Sequence, residues 1–147
     1  MINPFPWRVV DANLNRLREG LRVVEDILRY HWNSPLAKQF KILRHTTHLP
    51  SDWTRQLIES RNVEGDILRQ EPEKGRREGV GEVLIANLKR GEESARVLEE
   101  IFKLLDPNWA STFKKIRYTL YQLEKEIILL GIEKEGKNFF GKKGENG

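Results

Sequence analysis

The chain has 147 residues, one-third of them charged and 38% hydrophobic, enough for one domain with a modest core. It has no cysteine, which excludes disulfides and thiolate metal sites and points to a reducing compartment. A net charge of +4 arises from 26 basic and 22 acidic side chains that alternate along the chain, which argues against a nucleic-acid face built on uninterrupted basic runs.

No stretch approaches the about 18 apolar residues of a membrane span, and the segment Met1 to Trp7 lacks the basic start and apolar run of a signal peptide. The expected location is cytoplasmic, with neither membrane nor nucleic acid as partner.

Residues 1–8 carry two prolines and are expected to form an extended arm docked by Phe5 and Trp7. A helix is predicted from Val10 or Asp11 to about His31. With Asn13 as origin and about 100° per residue, Leu14, Leu17, Gly20, Leu21, Val24, Ile27 and Leu28 share one broad apolar face. Ser34-Pro35 then reads as an N-cap with proline at the first helical position, opening a second helix to about Leu49.

After Pro50, Ser51-Asp52 caps a short helix that ends near Ser60. Residues 61–79 contain Gly65, Pro72, Gly75 and Gly79 with little apolar period, and read as a long loop of the kind that is usually functional. A helix from about Gly81 to Leu105, a turn at Asp106-Pro107-Asn108 and a last helix from Trp109 to about Ile132 follow. Residues 135–147 read as a disordered Gly/Lys tail.

Two of these segments repeat one another. ANLNRLREGLRVVEDI at 12–27 and ANLKRGEESARVLEEI at 86–101 match at a constant offset of 74 residues, from Ala12 to Ala86. With one residue deleted the match continues: Phe40 meets Phe113, Arg44 meets Arg117, and His45 meets Tyr118. An internal repeat constrains the whole fold. The predicted fold class is therefore all-α: two pseudo-twofold-related helical hairpins (about 10–49 and 82–124), a short linking helix, and the disordered tail, within a single domain spanning 1–134.

The apolar face explains only half of what repeats. Beside it runs a stripe of Arg16, Glu19, Arg22, Val23 and Asp26, matched by Arg90, Glu93, Arg96, Val97 and Glu100. Helix-stabilising ion pairs would account for an ordinary Arg/Glu stripe. Repeated identity of arginine favours a second reading, because the planar guanidinium fork binds phosphate bidentately. On that reading Arg16, Arg22, Arg44, Arg90, Arg96 and Arg117 bind phosphate, and Asp26 and Glu100 hold Mg²⁺. Glu19 and Glu93 are expected to be catalytic, together with Asp66 from the loop.

Asn13, Asn87 and His45 are assigned to the substrate. For Asn13, Asn87, Glu25 and Glu99, which lie at or inside the apolar border, hydrogen bonds that lock the hairpins together are the alternative. Gly79-Val80-Gly81 ahead of a helix, with Arg61, Arg69 and the run Lys74 to Arg77, offers further anion contacts. No Walker, dinucleotide or zinc-protease motif is present.

The paired signatures carry a resemblance. Asp11-Ala12-Asn13-Leu14-Asn15-Arg16 with Arg18-Glu19-Gly20-Leu21-Arg22-Val23 and Glu25-Asp26, and then Ala86-Asn87, Arg90, Glu93, Arg96 to Glu100 and Arg117-Tyr118, resemble the small helical domain fused ahead of thiamine-phosphate synthase in some bacteria. The likeness covers roughly residues 8–130. Fused members carry Asp-Val-Gly where this chain has Asp66-Ile67-Leu68.

The resemblance implies a standalone hydroxymethylpyrimidine phosphate kinase of the second, non-ribokinase type. Such an enzyme uses ATP and Mg²⁺ to convert 4-amino-5-hydroxymethyl-2-methylpyrimidine phosphate to its diphosphate. It also implies two candidate partners, a second copy of the chain and a thiamine-phosphate synthase. The rival reading is a non-catalytic helical interaction module that partners a thiamine-pathway enzyme.

Overall fold

A computed structural model describes residues 5–72 and 75–141. Helix α1 spans Trp7–Asp26 and continues through one π-helical turn, Ile27–His31. Helix α2 spans Ala37–Thr46, a 3₁₀ turn at Ser51–Trp53 leads into α3 at Thr54–Ser60, and α4 spans Val80–Phe102. Helix α5 runs from Pro107 to Glu135 and ends in a 3₁₀ turn, Gly136–Phe140. Among the described residues every regular element is helical, as the periodicity requires.

The repeat period became the packing pattern. Val10, Leu14, Leu17, Leu21, Val24 and Leu28 of α1 are buried, as are Leu84, Leu88, Ala95, Leu98 and Phe102 of α4. α2 packs on α1 and α5 packs on α4, so each repeat is a hairpin, and α1 lies against α4. The crossing point is marked by glycine. A Cβ on Gly20 would lie 3.0 Å from the Asn87 carbonyl oxygen, and one on Gly91 would lie 3.7 Å from the Leu17 side chain. These pairings place α1 and α4 antiparallel, with a local twofold axis near Leu17 and Gly91.

The two copies also repeat a local bond within each helix. Asn13 Nδ2 donates to the Val9 carbonyl at 2.9 Å, and Asn87 Nδ2 donates to the Val83 carbonyl at 2.9 Å.

Three expectations shift. The arm is shorter than predicted, because α1 begins at Trp7, immediately after Pro6. Proline is tolerated at a helix start, where its missing N–H has no partner to lose. Phe5 and Trp7 do dock, Trp7 against Trp53, within an aromatic cluster that also holds Phe102, Trp109 and Phe113. At the second helix, Ser34 Oγ accepts from the Leu36 N–H at 3.2 Å, and a tight turn over Pro35-Leu36 precedes Ala37.

The third shift concerns the tail, expected to be disordered from residue 135. Gly136, at φ +56°, turns the chain back, and Phe139 is fully buried against Gly81, Gly131 and Trp32. One aromatic ring in a hollow made by two glycines outweighs the Gly/Lys composition around it. Residues 142–147 lie outside the described residues.

Candidate phosphate-binding groove

The seam between α1 and α4 opens on one side as a groove of about 770 Å³. α1 contributes Asn13, Arg16 and Glu19; α4 contributes Ala86, Arg90, Glu93, Ser94 and Val97; Arg77 reaches it from the loop. Arg16 with Arg90, and Glu19 with Glu93, are equivalent positions of the two repeats, so the groove is built around the twofold axis.

Ion pairing separates the six repeated arginines. Arg44 donates to both oxygens of buried Glu25, at 3.0 and 3.3 Å. Its counterpart Arg117 donates from Nε to Glu99 at 3.0 Å and from Nη1 to the Tyr121 hydroxyl at 3.2 Å. Tyr121 foremost, and then Glu99, hold the Arg117 guanidinium above its ordinary pKa. These two arginines tie the helices of each hairpin together and do not line the groove. Glu25 and Glu99 thus bond within their own hairpins, and Asn13 and Asn87 within their own helices, so none of the four makes the expected hydrogen bond from one hairpin to the other.

Arg22 pairs with Asp26 at 3.3 Å, and Arg96 pairs with Glu99 at 3.7 Å and Glu100 at 3.5 Å. Arg16 and Arg90 make no ion pair among the described residues, and the acids three residues on from each, Glu19 and Glu93, make none either. Arg90 donates one longer bond, at 3.4 Å, to Asn87 Oδ1. The exposed centre of the groove thus presents two guanidinium groups with their bonding capacity largely unspent.

The antiparallel crossing also bears on the metal assignment. At about 1.5 Å per residue, Asp26 and Glu100 lie roughly 28 Å apart along the seam, at opposite ends. Glu100 is engaged by Lys103 at 2.9 Å as well, and that bond first, then Arg96, holds its carboxyl below the ordinary value. These two acids cannot share a cation. No cluster of three or more His, Cys, Asp or Glu exists among the described residues. Glu19 and Glu93 fit the other known arrangement, in which Mg²⁺ is held by one or two carboxylates together with phosphate oxygens.

A second pocket of about 430 Å³ adjoins the groove, and Asn13 and Arg16 belong to both. It lies between the start of α1 and the first residues of the loop, and Asp66 lines it. Asp11 does not start the helix but sits one turn inside α1, buried, and takes both bonds of Arg61 at 2.8 Å each. Arg8 donates to the Asn62 carbonyl at 3.0 Å. These contacts pin the loop over α1.

Asn87 is inside the seam but does not line the groove, and His45 is exposed on α2 beside His48. The Gly79-Val80-Gly81 amides are not an anion nest, because Asn138 and Phe139 cover both glycines. Lys74 falls outside the described residues.

One buried group had no sequence signal. Glu92 points between α4 and α5, where Lys89 lies 3.4 Å from it and 3.1 Å from Glu124. Burial, and then the neighbouring Glu124 carboxylate, push the Glu92 carboxyl up to about 7.

A model of the ThiD2 family matches residues 8–126. The chain is 40% identical over 125 residues to a thiamine-phosphate synthase of Nostoc punctiforme, covering 83% of this chain and 35% of that protein. It is 40% identical over 125 residues to the thiamine-phosphate synthase of Synechocystis, covering 82% and 36%. A thiamine-phosphate synthase of Rhodopirellula baltica is 35% identical over 127 residues, covering 83% and 34%. The chain thus spans about a third of the length of these relatives. No solved structure matches it.

Proposed function

The chain belongs to the ThiD2 family, and from that premise we propose that it transfers the terminal phosphoryl group of ATP to 4-amino-5-hydroxymethyl-2-methylpyrimidine phosphate, a step of thiamine biosynthesis. The observation that carries this reading is the pair Arg16 and Arg90. They alone among the six repeated arginines have no ion-pair partner among the described residues, and they face one groove across the twofold axis.

In the proposed reaction a non-bridging oxygen of the substrate's monophosphate bonds to the γ-phosphorus. The bond from that phosphorus to the β,γ-bridging oxygen breaks, and ADP leaves with the electron pair. The nucleophile is already an anion, so no side chain need remove a proton. What such a transfer requires is alignment and charge neutralisation. Arg16 and Arg90 bind the two approaching phosphates and offset their repulsion. Glu19 and Glu93 fit a phosphate-bound Mg²⁺, which when bound draws charge from the β- and γ-oxygens. Arg77 adds a third cation from the loop.

A substrate that lacks its own phosphate leaves one guanidinium unpaired, so the free alcohol is a poor acceptor. The test is to incubate the protein with ATP, Mg²⁺ and the pyrimidine monophosphate and follow ADP and pyrimidine diphosphate by phosphorus NMR. Folded protein that yields neither product refutes the kinase; capture of a thiamine-phosphate synthase without turnover would support the interaction-module reading instead.

A further inference from the structure

We infer that the pocket between α1 and the loop seats the aminopyrimidine ring of the phosphorylated substrate. The inference rests on the phosphotransferase reading above.

Three observations carry it. The first is composition. The 430 Å³ pocket has apolar walls from Val9, Ala12 and Val63 and polar groups from Asn13, Asn15 and Asp66. Val63 is 58% exposed, so an apolar surface stands ready to cover a flat ring. An aminopyrimidine offers two apolar faces and an edge that alternates ring-nitrogen acceptors with an amino donor. Asp66 accepts from the Leu68 N–H at 3.0 Å through Oδ1, which leaves Oδ2 for such an amino group. Asn13 spends its amide on the Val9 carbonyl, and its Oδ1 has no bond of the kind that Asn87 receives from Arg90.

The second observation is continuity. Asn13 and Arg16 line both this pocket and the groove. A phosphate one carbon away from a ring seated here falls at Arg16. In ATP a ribose separates the base from its phosphates, so adenine in the same place would carry the γ-phosphate well past the twofold axis.

The third is broken symmetry. Asp11, which anchors Arg61 and hence the loop, stands opposite Ile85 in the second repeat, and Asn15 stands opposite Lys89. An isoleucine cannot hold an arginine, so the ring pocket belongs to the first repeat. The duplicated phosphate groove therefore has one ring pocket of this make, and the nucleotide approaches from the Arg90 and Arg77 side.

The experiment compares wild type with Val63→Trp, which fills the pocket from an exposed position, and Asn15→Leu, which removes its polar edge. Steady-state kinetics with each substrate varied should show KM for the pyrimidine phosphate raised about tenfold or more, with KM for ATP within about twofold. A rise in KM for ATP instead would mean that the pocket holds adenine and would overturn the assignment, as would unchanged constants for both substrates. If wild type proves inactive, the kinase reading fails on its own. Calorimetric titration with the pyrimidine monophosphate alone then decides the pocket: binding by wild type that Val63→Trp abolishes supports it, and absent or unaffected binding overturns it.

Discussion

Replacing Glu92 with glutamine isolates one buried proton. Glu92 is 4% exposed, with Glu124 as its carboxylate neighbour and one ammonium, Lys89, shared between the two. A single half-exposed lysine cannot neutralise two acids, so the buried one keeps its proton, up to about pH 7 against an ordinary 4.5. The folded value is raised. The stabilisation it brings is complete below about pH 4.5 and is lost as pH rises through 7, because there the unfolded chain has already released a proton that the native chain still holds.

At 1.36 kcal/mol per unit, the full shift, with the opposing effect of Lys89 included, corresponds to about 3 kcal/mol. Glutamine is nearly isosteric and neutral at every pH. Urea melts of wild type and Glu92→Gln at pH 5 and pH 8 should show the variant close to wild type at the lower pH and about 1–3 kcal/mol more stable at the higher. Equal pH slopes in the two proteins would refute the argument, since Glu92 would then ionise as it does in the unfolded chain.

Arg16→Ala and Arg90→Ala should each lower kcat/KM of the proposed reaction by about 10²-fold or more, the loss of a charge-assisted phosphate contact, while Arg22→Ala and Arg96→Ala stay within about threefold because their guanidinium groups are already paired. Arg117→Ala should cost about 3 kcal/mol in a denaturant melt by leaving buried Glu99 with only the 3.7 Å contact to half-exposed Arg96. Phe139→Ala should cost about 3–5 kcal/mol and free Gly81 and Gly131 of their covering, detected as a lowered Tm. Gly20→Ala should destabilise, because its Cβ meets a backbone carbonyl at 3.0 Å that cannot retreat. Gly91→Ala should be neutral or stabilising, since its nearest neighbour is a flexible Leu120 methyl at 3.4 Å and helix propensity gains about 1 kcal/mol.

The hairpins were legible in the sequence because the helical period and the repeat offset report the same apolar face twice, through residues such as Leu17, Leu21, Leu88 and Leu98. The repeated Arg/Glu stripe was legible as a class. Which of its arginines is unspent was not, because ion-pair partners such as Arg44 with Glu25 are chosen across helices, by distances that no single-helix wheel contains.

The crossing point had a signal that the stripe obscured. Gly20 and Gly91 are helix-interior glycines, each costing about 1 kcal/mol relative to alanine, and such a cost marks a close backbone approach. That crossing also separates the repeated arginines, since Arg22 and Arg96 lie roughly 16 Å apart along the seam and Arg16 and Arg90 lie beside the axis. The repeat gave no signal for the role of Asp11 in holding the loop, since Ile85 stands at the matching position.

Symmetry in this chain follows the division of labour among its residues. Where a pair only has to hold helices together, the two copies are alike: Glu25 with Arg44 and Glu99 with Arg117, Asn13 on Val9 and Asn87 on Val83. In the proposed reaction two phosphates that must approach one another present similar charge to each wall, which accounts for Arg16 and Arg90 being alike. A pyrimidine and an adenine are not alike, so a duplicated domain that joins them must differ where rings are read. Two of the differences between the repeats do lie beside the pocket, Asp11 against Ile85 and Asn15 against Lys89, while those nearer the axis, such as Leu17 against Gly91 and Gly20 against Ser94, serve the close crossing of the helices. In the proposed reaction the loop serves selection of the ring, and among the described residues it is tethered to α1 by Arg61 on Asp11 and Arg8 on Asn62.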